Sequence, residues 1–122
     1  MTVWQSNKVI ASETFPGVDL VLARMTFGRR LELLKRVRDL AARLEYFDAG
    51  REERNRIEAS LLGAQIDRLY LEWGLEEIRG LELDGASATP ALLIDAGPEE
   101  LFHEALKAVK EECGLSEQER KN

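Results

Sequence analysis

Residues 28–48 read GRRLELLKRVRDLAARLEYFD, and this stretch decides the fold class. Its apolar side chains recur at spacings of three and four residues, which is the period of one face of an α-helix. They are Leu31, Leu34, Val37, Leu40, Ala41, Leu44 and Phe47. Thr26 is a suitable N-cap, and Gly50 is a suitable residue just past the end. The sequence therefore predicts a long amphipathic helix over about 28–48.

A second long helix is predicted over about 52–73, with Gly74 as its stop. Its apolar stripe has spacings of four, three and four and consists of Leu62, Ile66, Leu69 and Trp73. The linker between the two helices is short, so we expect an αα-hairpin in which each stripe covers the other. Tyr70 and Trp73 lie on the stripe and are predicted to be core residues.

The segments before and after the two helices have different patterns. Residues 8–24 alternate apolar and polar side chains, as half-buried strands do, and Pro16-Gly17 fits the centre of a type II turn between them. Residues 75–85 lose the helical period, and Asp84-Gly85 favours a short strand pair or an irregular crossing.

Two short helices are predicted in the C-terminal part. Thr89-Pro90 supplies an N-cap and a first helical proline, and Pro98 opens a second helix that runs to Cys113. The predicted fold class is mainly α, with an αα-hairpin core, C-terminal short helices and a small N-terminal antiparallel β element. Residues 1–114 are expected to form a single compact helical domain, and the polar residues 115–122 a mobile C-terminal tail.

Charge is unevenly distributed in this chain of 122 residues and net charge −6. The stretch from Arg24 to Arg56 has ten basic and six acidic residues, whereas Glu72 to Asn122 has five basic and thirteen acidic residues. This asymmetry favours self-association or a charged protein partner, although solvated helix faces would look the same. A lone Cys113, no signal-peptide pattern and no long apolar run predict a cytosolic protein with no membrane partner.

The sequence offers little for catalysis or ligand binding. His103 is the only histidine, and Cys113 lies nearly three helical turns further on, too far to share a metal ion with it. The paired acids are adjacent in sequence, so they point about 100° apart on a helix and do not converge. The net charge argues against a reader of duplex nucleic acid. We therefore predict no enzyme, and no catalytic, cofactor-binding or metal-binding residues.

Four stretches together resemble a known family. They are Arg24–Arg30 (RMTFGRR), Leu69–Leu75 (LYLEWGL), Asp84-Gly85 followed by Thr89-Pro90, and Ala96–Leu101 (AGPEEL). The chain resembles the tail assembly chaperones of long-tailed bacteriophages or prophages. The resemblance implies a small helical protein of the host bacterial cytoplasm that binds the tape-measure protein and the tail-tube protein during tail assembly and is absent from the finished virion.

Partner-binding candidates are chosen at the start of the first long helix and in the C-terminal tail, and the resemblance suggests a longer form of the protein. The partner-binding candidates are Arg29, Arg30, Leu115, Glu119, Arg120 and Lys121. Many members of the family are also made in a longer form by ribosomal frameshifting. Arg120-Lys121-Asn122 can be encoded by CGA-AAA-AAC, which contains a slippery run, and reading the gene tests this. Two other function classes remain open: a virion structural or head-tail adaptor protein, and a DNA-binding regulator.

Overall fold

The computed structural model describes residues 1–114. The elements in chain order are β1 (Asn7–Ala11), β2 (Asp19–Ala23), α1 (Phe27–Asp48), α2 (Glu53–Gly74), β3 (Leu75–Arg79), β4 (Glu82–Leu83), β5 (Ala86–Ser87), α3 (Pro90–Ala96) and α4 (Glu99–Glu112). The predicted fold class, mainly α with a small N-terminal antiparallel β element, is confirmed. The predicted αα-hairpin, in which the apolar stripes of the two long helices cover each other, is not confirmed, because α1 and α2 are not among the elements that contact each other extensively.

The chain divides into two compact units, which are described separately. Among the described residues, one consists of Met1–Met25 together with 71–114, and the other is Thr26–Tyr70. The prediction of a single compact domain over 1–114 stays a prediction. The predicted tail, 115–122, lies outside the described residues.

The first unit contains an antiparallel sheet in the order β1-β2-β3. The turn before β2 has the predicted form: the Val18 amide donates to the Phe15 carbonyl, and Gly17 between them has a φ of +89°. The third strand, β3, pairs with β2 from Asp19 opposite Arg79 to Leu22 opposite Leu75. The sequence did not predict this pairing, because the two strands are separated by both long helices.

The core of the first unit lies where α3 and α4 pack against the sheet. Contacts join α4 to β2 and α3 to β3, and the two helices contact each other. The apolar side chains buried here include Leu20, Leu22, Ile78, Leu93, Leu101, Ala105 and Val109. Val21 and Ala23 are buried as well, so both faces of β2 are covered rather than only the alternate one.

Short-range signals set the connections of this unit. Asp84 and Gly85 have φ values of +52° and +82° and form the two-residue loop between β4 and β5, as an Asp-Gly pair does in a type I′ hairpin. The Thr89 hydroxyl accepts the Leu92 amide and caps α3, with Pro90 in its first turn.

The second unit consists of α1 and the greater part of α2. Thr26 caps α1 as predicted, since its hydroxyl accepts a hydrogen bond from the Arg29 amide at 3.2 Å. Trp73, which belongs to the end of α2 in the first unit, is buried, as its place on the stripe predicts, whereas Tyr70, which was also predicted to be a core residue, is only partly buried. No helix within 1–114 combines the length and the apolar character required to cross a lipid bilayer.

Candidate functional site

Helix α1 has two apolar faces instead of the single stripe that its spacing predicts. A helix turns by about 100° per residue, so Leu33 points roughly 100° away from Leu34. Leu33 is 4% exposed and lies on the same side as the partly buried Leu40, Leu44 and Phe47. The other face, which we call the open face, consists of Phe27, Leu31, Leu34, Ala41 and Ala42.

The open face is exposed to solvent along most of α1. Phe27 is 81% exposed, Leu31 is 44% exposed and Leu34 is 56% exposed. The face contains a shallow groove of about 540 Å³, lined by Leu31, Leu34, Lys35, Val37, Arg38, Ala41, Ala42 and Glu45. From Leu31 to Glu45 the helix axis rises by roughly 20 Å, at about 1.5 Å per residue. The groove is therefore as long as about four turns of helix.

Charged side chains are arranged in order along this groove. Lys35 and Arg38 lie in its first two-thirds, and Glu45 lies at its C-terminal end. Arg38 has a neighbouring carboxylate in Asp39, with Nε and Oδ1 3.6 Å apart, but both side chains are largely exposed. An exposed pair of this kind contributes about 0–1 kcal/mol, so Arg38 can exchange it for another partner. The groove thus has an apolar floor with a basic part and an acidic end.

Helix α2 also exposes apolar side chains near its beginning. Ile57 is 60% exposed and Leu61 is 52% exposed, and their spacing of four places them on one side of the helix. Leu62, the next residue, is almost fully buried. Both long helices therefore bury one apolar side and expose a second.

The predicted partner-binding arginines lie at the beginning of α1. Arg30 is exposed and points only about 40° away from Leu34 around the helix, whereas Arg29 is partly buried and points about 140° away from Leu34. The structure thus places Arg30 near the open face and Arg29 on another side. The other four candidates, Leu115, Glu119, Arg120 and Lys121, lie outside the described residues.

A second hollow, of about 560 Å³, lies between β1 and α4 in the first unit. Its polar lining includes Glu100, His103, Glu104 and Glu111. The Glu104 carboxylate accepts hydrogen bonds from the Ser12 hydroxyl at 2.6 Å and from the Glu13 amide at 2.7 Å. Glu104 therefore holds the β1–β2 loop against α4.

Hydrogen bonding controls the ionisation of Glu104. Partial burial raises the pKa of this carboxyl, but the hydrogen bonds from Ser12 and from the amides of Glu13 and Thr14 favour the charged form more strongly. The net result is a pKa below the ordinary value. A carboxylate held in its charged form in this way is suited to fixing the loop.

The two residues that sequence reasoning weighed for chemistry are apart from each other. His103 is exposed and lies 3.5 Å from Glu99 on the preceding turn of α4, from Nε2 to Oε1. Cys113 is buried at the end of α4 and does not line the hollow. Within 1–114, no cluster of three or more histidine, cysteine or acidic side chains has an arrangement that could hold a metal ion.

No family model, curated protein or solved structure matches the chain.

The open face was missed by sequence reasoning, although its signal is present. Positions 27, 31, 34, 38, 41 and 45 have spacings of four and three throughout, but two of them hold Arg38 and Glu45. The predicted stripe merged Leu31, Leu34 and Ala41 with Leu40, Leu44 and Phe47. Together with Val37, these residues of the predicted stripe spread over more than half of the helix circumference, which is wider than one buried face requires.

Proposed function

We propose that this protein is a tail assembly chaperone of a bacteriophage or prophage, and that it binds the tape-measure protein and the tail-tube protein in the host cytoplasm. The exposed apolar groove on α1 supports a protein-binding function, because apolar side chains in a continuous row are suited to cover those of another chain. The four sequence stretches that resemble tail assembly chaperones supply the identity of the partners.

Burial of the open face would provide the free energy for binding. Fully burying a leucine side chain is worth about 1.5–3 kcal/mol. Leu31 and Leu34 are roughly half exposed in the free protein, so covering them would add about 1 kcal/mol each. A partner that binds the folded chaperone through this face is held in solution by mass action, with no chemical step.

Co-expression with the tape-measure protein from the same gene cluster tests this function. We expect the client to remain soluble and to co-purify with the native chain. The double variant Leu31→Ser/Leu34→Ser should lose most of this co-purification, whereas Leu61→Ser, which removes an equally exposed leucine from α2, should retain it. Failure of the native chain to co-purify with or solubilise the client would refute the proposed function.

The composition of purified phage particles separates this proposal from an adaptor function. A chaperone that leaves after assembly is absent from mature particles, so mass spectrometry should find the tail-tube protein and not this chain. Stoichiometric amounts of the chain in washed particles would instead identify a structural component of the virion.

The two arginines are tested in the same co-purification assay. Arg30→Glu introduces an opposite charge one helical turn before Leu34 and should reduce the amount of bound client. Arg29→Glu alters a partly buried side chain, so its effect on binding must be compared with its effect on the unfolding free energy. If Arg30→Glu binds as much client as the native chain does, Arg30 does not contribute to client binding.

A further inference from the structure

We infer that the groove on α1 binds an amphipathic helix that carries carboxylate side chains opposite Lys35 and Arg38 and a basic side chain opposite Glu45. This inference rests on the proposed protein-binding function and names the chemistry of the partner segment. It follows from the length of the exposed apolar strip on α1 and from the order of the charges along it.

The dimensions of the groove suit a helix. Its residues from Leu31 to Glu45 rise by roughly 20 Å, which equals about 14 residues of a partner helix. An amphipathic helix presents apolar side chains at spacings of three and four, the same spacings as Leu31, Leu34, Val37 and Ala41, which all line the groove. Two such rows can interdigitate along the whole groove.

The charges select the partner and its orientation. The ammonium of Lys35 forms no ion pair within residues 1–114, and Arg38 has only its exposed neighbour Asp39. A partner with acidic residues at the corresponding positions would complement both cations. Glu45, at the far end, would repel an acidic residue and favour a basic one. A partner helix laid in the reverse direction would meet the wrong charge at each end.

A second copy of α1 fits this groove poorly. The middle of the stretch from Leu31 to Glu45 is Arg38. A two-fold antiparallel pairing over the full groove would therefore bring the two Arg38 side chains together, and a parallel pairing would place each charge beside its own copy. Like charges in direct opposition are unfavourable, so the groove favours a different chain.

Duplex nucleic acid fits the groove poorly as well. Phosphate contacts require a row of cations, whereas Lys35 and Arg38 are followed by Glu45, and the floor between them is apolar. The chain as a whole carries a net charge of −6. These features match a helix with mixed charge and an apolar stripe, not a polyanion.

Two designed peptides test the inference without any knowledge of the natural client. Both are 18-residue helices with the same leucine stripe; one carries glutamate and the other lysine at the positions flanking the stripe. Fluorescence anisotropy measures their binding to the native protein and to Lys35→Glu/Arg38→Glu. We expect the native chain to bind the glutamate peptide about tenfold more tightly than the lysine peptide, and the variant to reverse this order.

Control variants test whether the peptides bind at the groove on α1. Leu31→Ser/Leu34→Ser should weaken binding of the glutamate peptide, and Leu61→Ser should leave it unchanged. Circular dichroism of each variant verifies that the helices are retained. The inference would be overturned if the native protein bound both peptides equally or bound neither. It would also be overturned if the native protein formed a concentration-dependent dimer that Leu34→Ser abolishes. Loss of the peptide preference while the tape-measure protein still co-purifies would overturn this inference and leave the proposed function in place.

Discussion

The Ser12 hydroxyl donates a hydrogen bond of 2.6 Å to the Glu104 carboxylate, although the two residues are 92 positions apart in the sequence. The same carboxylate accepts the amide of Glu13, and Ser12 in turn accepts the amide of Phe15 at 2.9 Å. One side chain of α4 therefore fixes the loop that joins β1 to β2.

Replacing Glu104 by glutamine should destabilise the protein. The amide keeps one acceptor oxygen but places donor hydrogens towards the donors of the loop. Hydrogen bonds to a charged group contribute about 1.5–3 kcal/mol, and partial exposure of Glu104 reduces this, so we expect a loss of about 1–2 kcal/mol. Urea denaturation measures it. Glu111→Gln, an exposed change on the same helix, should stay within about 0.5 kcal/mol, and an equal effect of both would contradict the anchoring role.

The contribution of Glu104 should depend on pH. Because its pKa is lower in the folded state, its stabilisation is complete above the ordinary value near 4.5 and is lost as the pH falls through the folded value. The difference in unfolding free energy between the native chain and Glu104→Gln should therefore shrink between pH 6 and pH 3. The other carboxylates contribute equally to the unfolding free energy of both proteins, so their pH dependence cancels in this difference. A difference that stays constant over this range would show that the hydrogen bonds do not depend on the charge.

Gly74, the last residue of α2, should not tolerate alanine. A Cβ at this position would overlap the side chain of Val109, a β-branched residue with little rotational freedom. We expect Gly74→Ala to cost about 1–3 kcal/mol, because the overlap outweighs the gain in helix propensity. Gly63→Ala, in the middle of the same helix and in open space, should instead stabilise by up to about 1 kcal/mol. Stabilisation by both changes would disprove the close packing of Gly74 on Val109.

Adjacent leucines of α1 should respond very differently to truncation. Leu33 is 4% exposed and Leu34 is 56% exposed. Leu33→Ala should cost about 2–5 kcal/mol in thermal or urea unfolding, since it removes buried methyl groups. Leu34→Ala should change the stability by less than about 1 kcal/mol. Similar losses for the two variants would mean that the open face is covered in the isolated protein.

The parts of the fold that depend on neighbouring residues could be predicted from the sequence. Thr26 and Thr89 cap their helices, and Pro16-Gly17 and Asp84-Gly85 make their turns, because each of these signals acts within a few residues. The pairing of β3 with β2 could not be predicted, since about fifty residues separate them and nothing in either strand specifies its partner.

The candidate site was only partly predictable for a different reason. Periodicity shows which residues of α1 are apolar but not which of its two overlapping apolar faces is buried. Leu33 and Leu34 both have apolar neighbours three or four positions away, and only the structure shows that Leu33 is buried and Leu34 is exposed. Glu104, similarly, resembles any other acid of an exposed helix face until the loop that it anchors is seen.

Photo-crosslinking from two positions of α1 tests most directly the claim that another protein covers the open face. Leu34→p-benzoylphenylalanine places the probe on that face, and Asp39→p-benzoylphenylalanine places it on another exposed side of the same helix. On co-expression with the tape-measure protein, we predict a strong crosslink to the client from position 34 and little or none from position 39. A crosslink from position 39 alone, or none from position 34 in a complex that still co-purifies, would contradict this account.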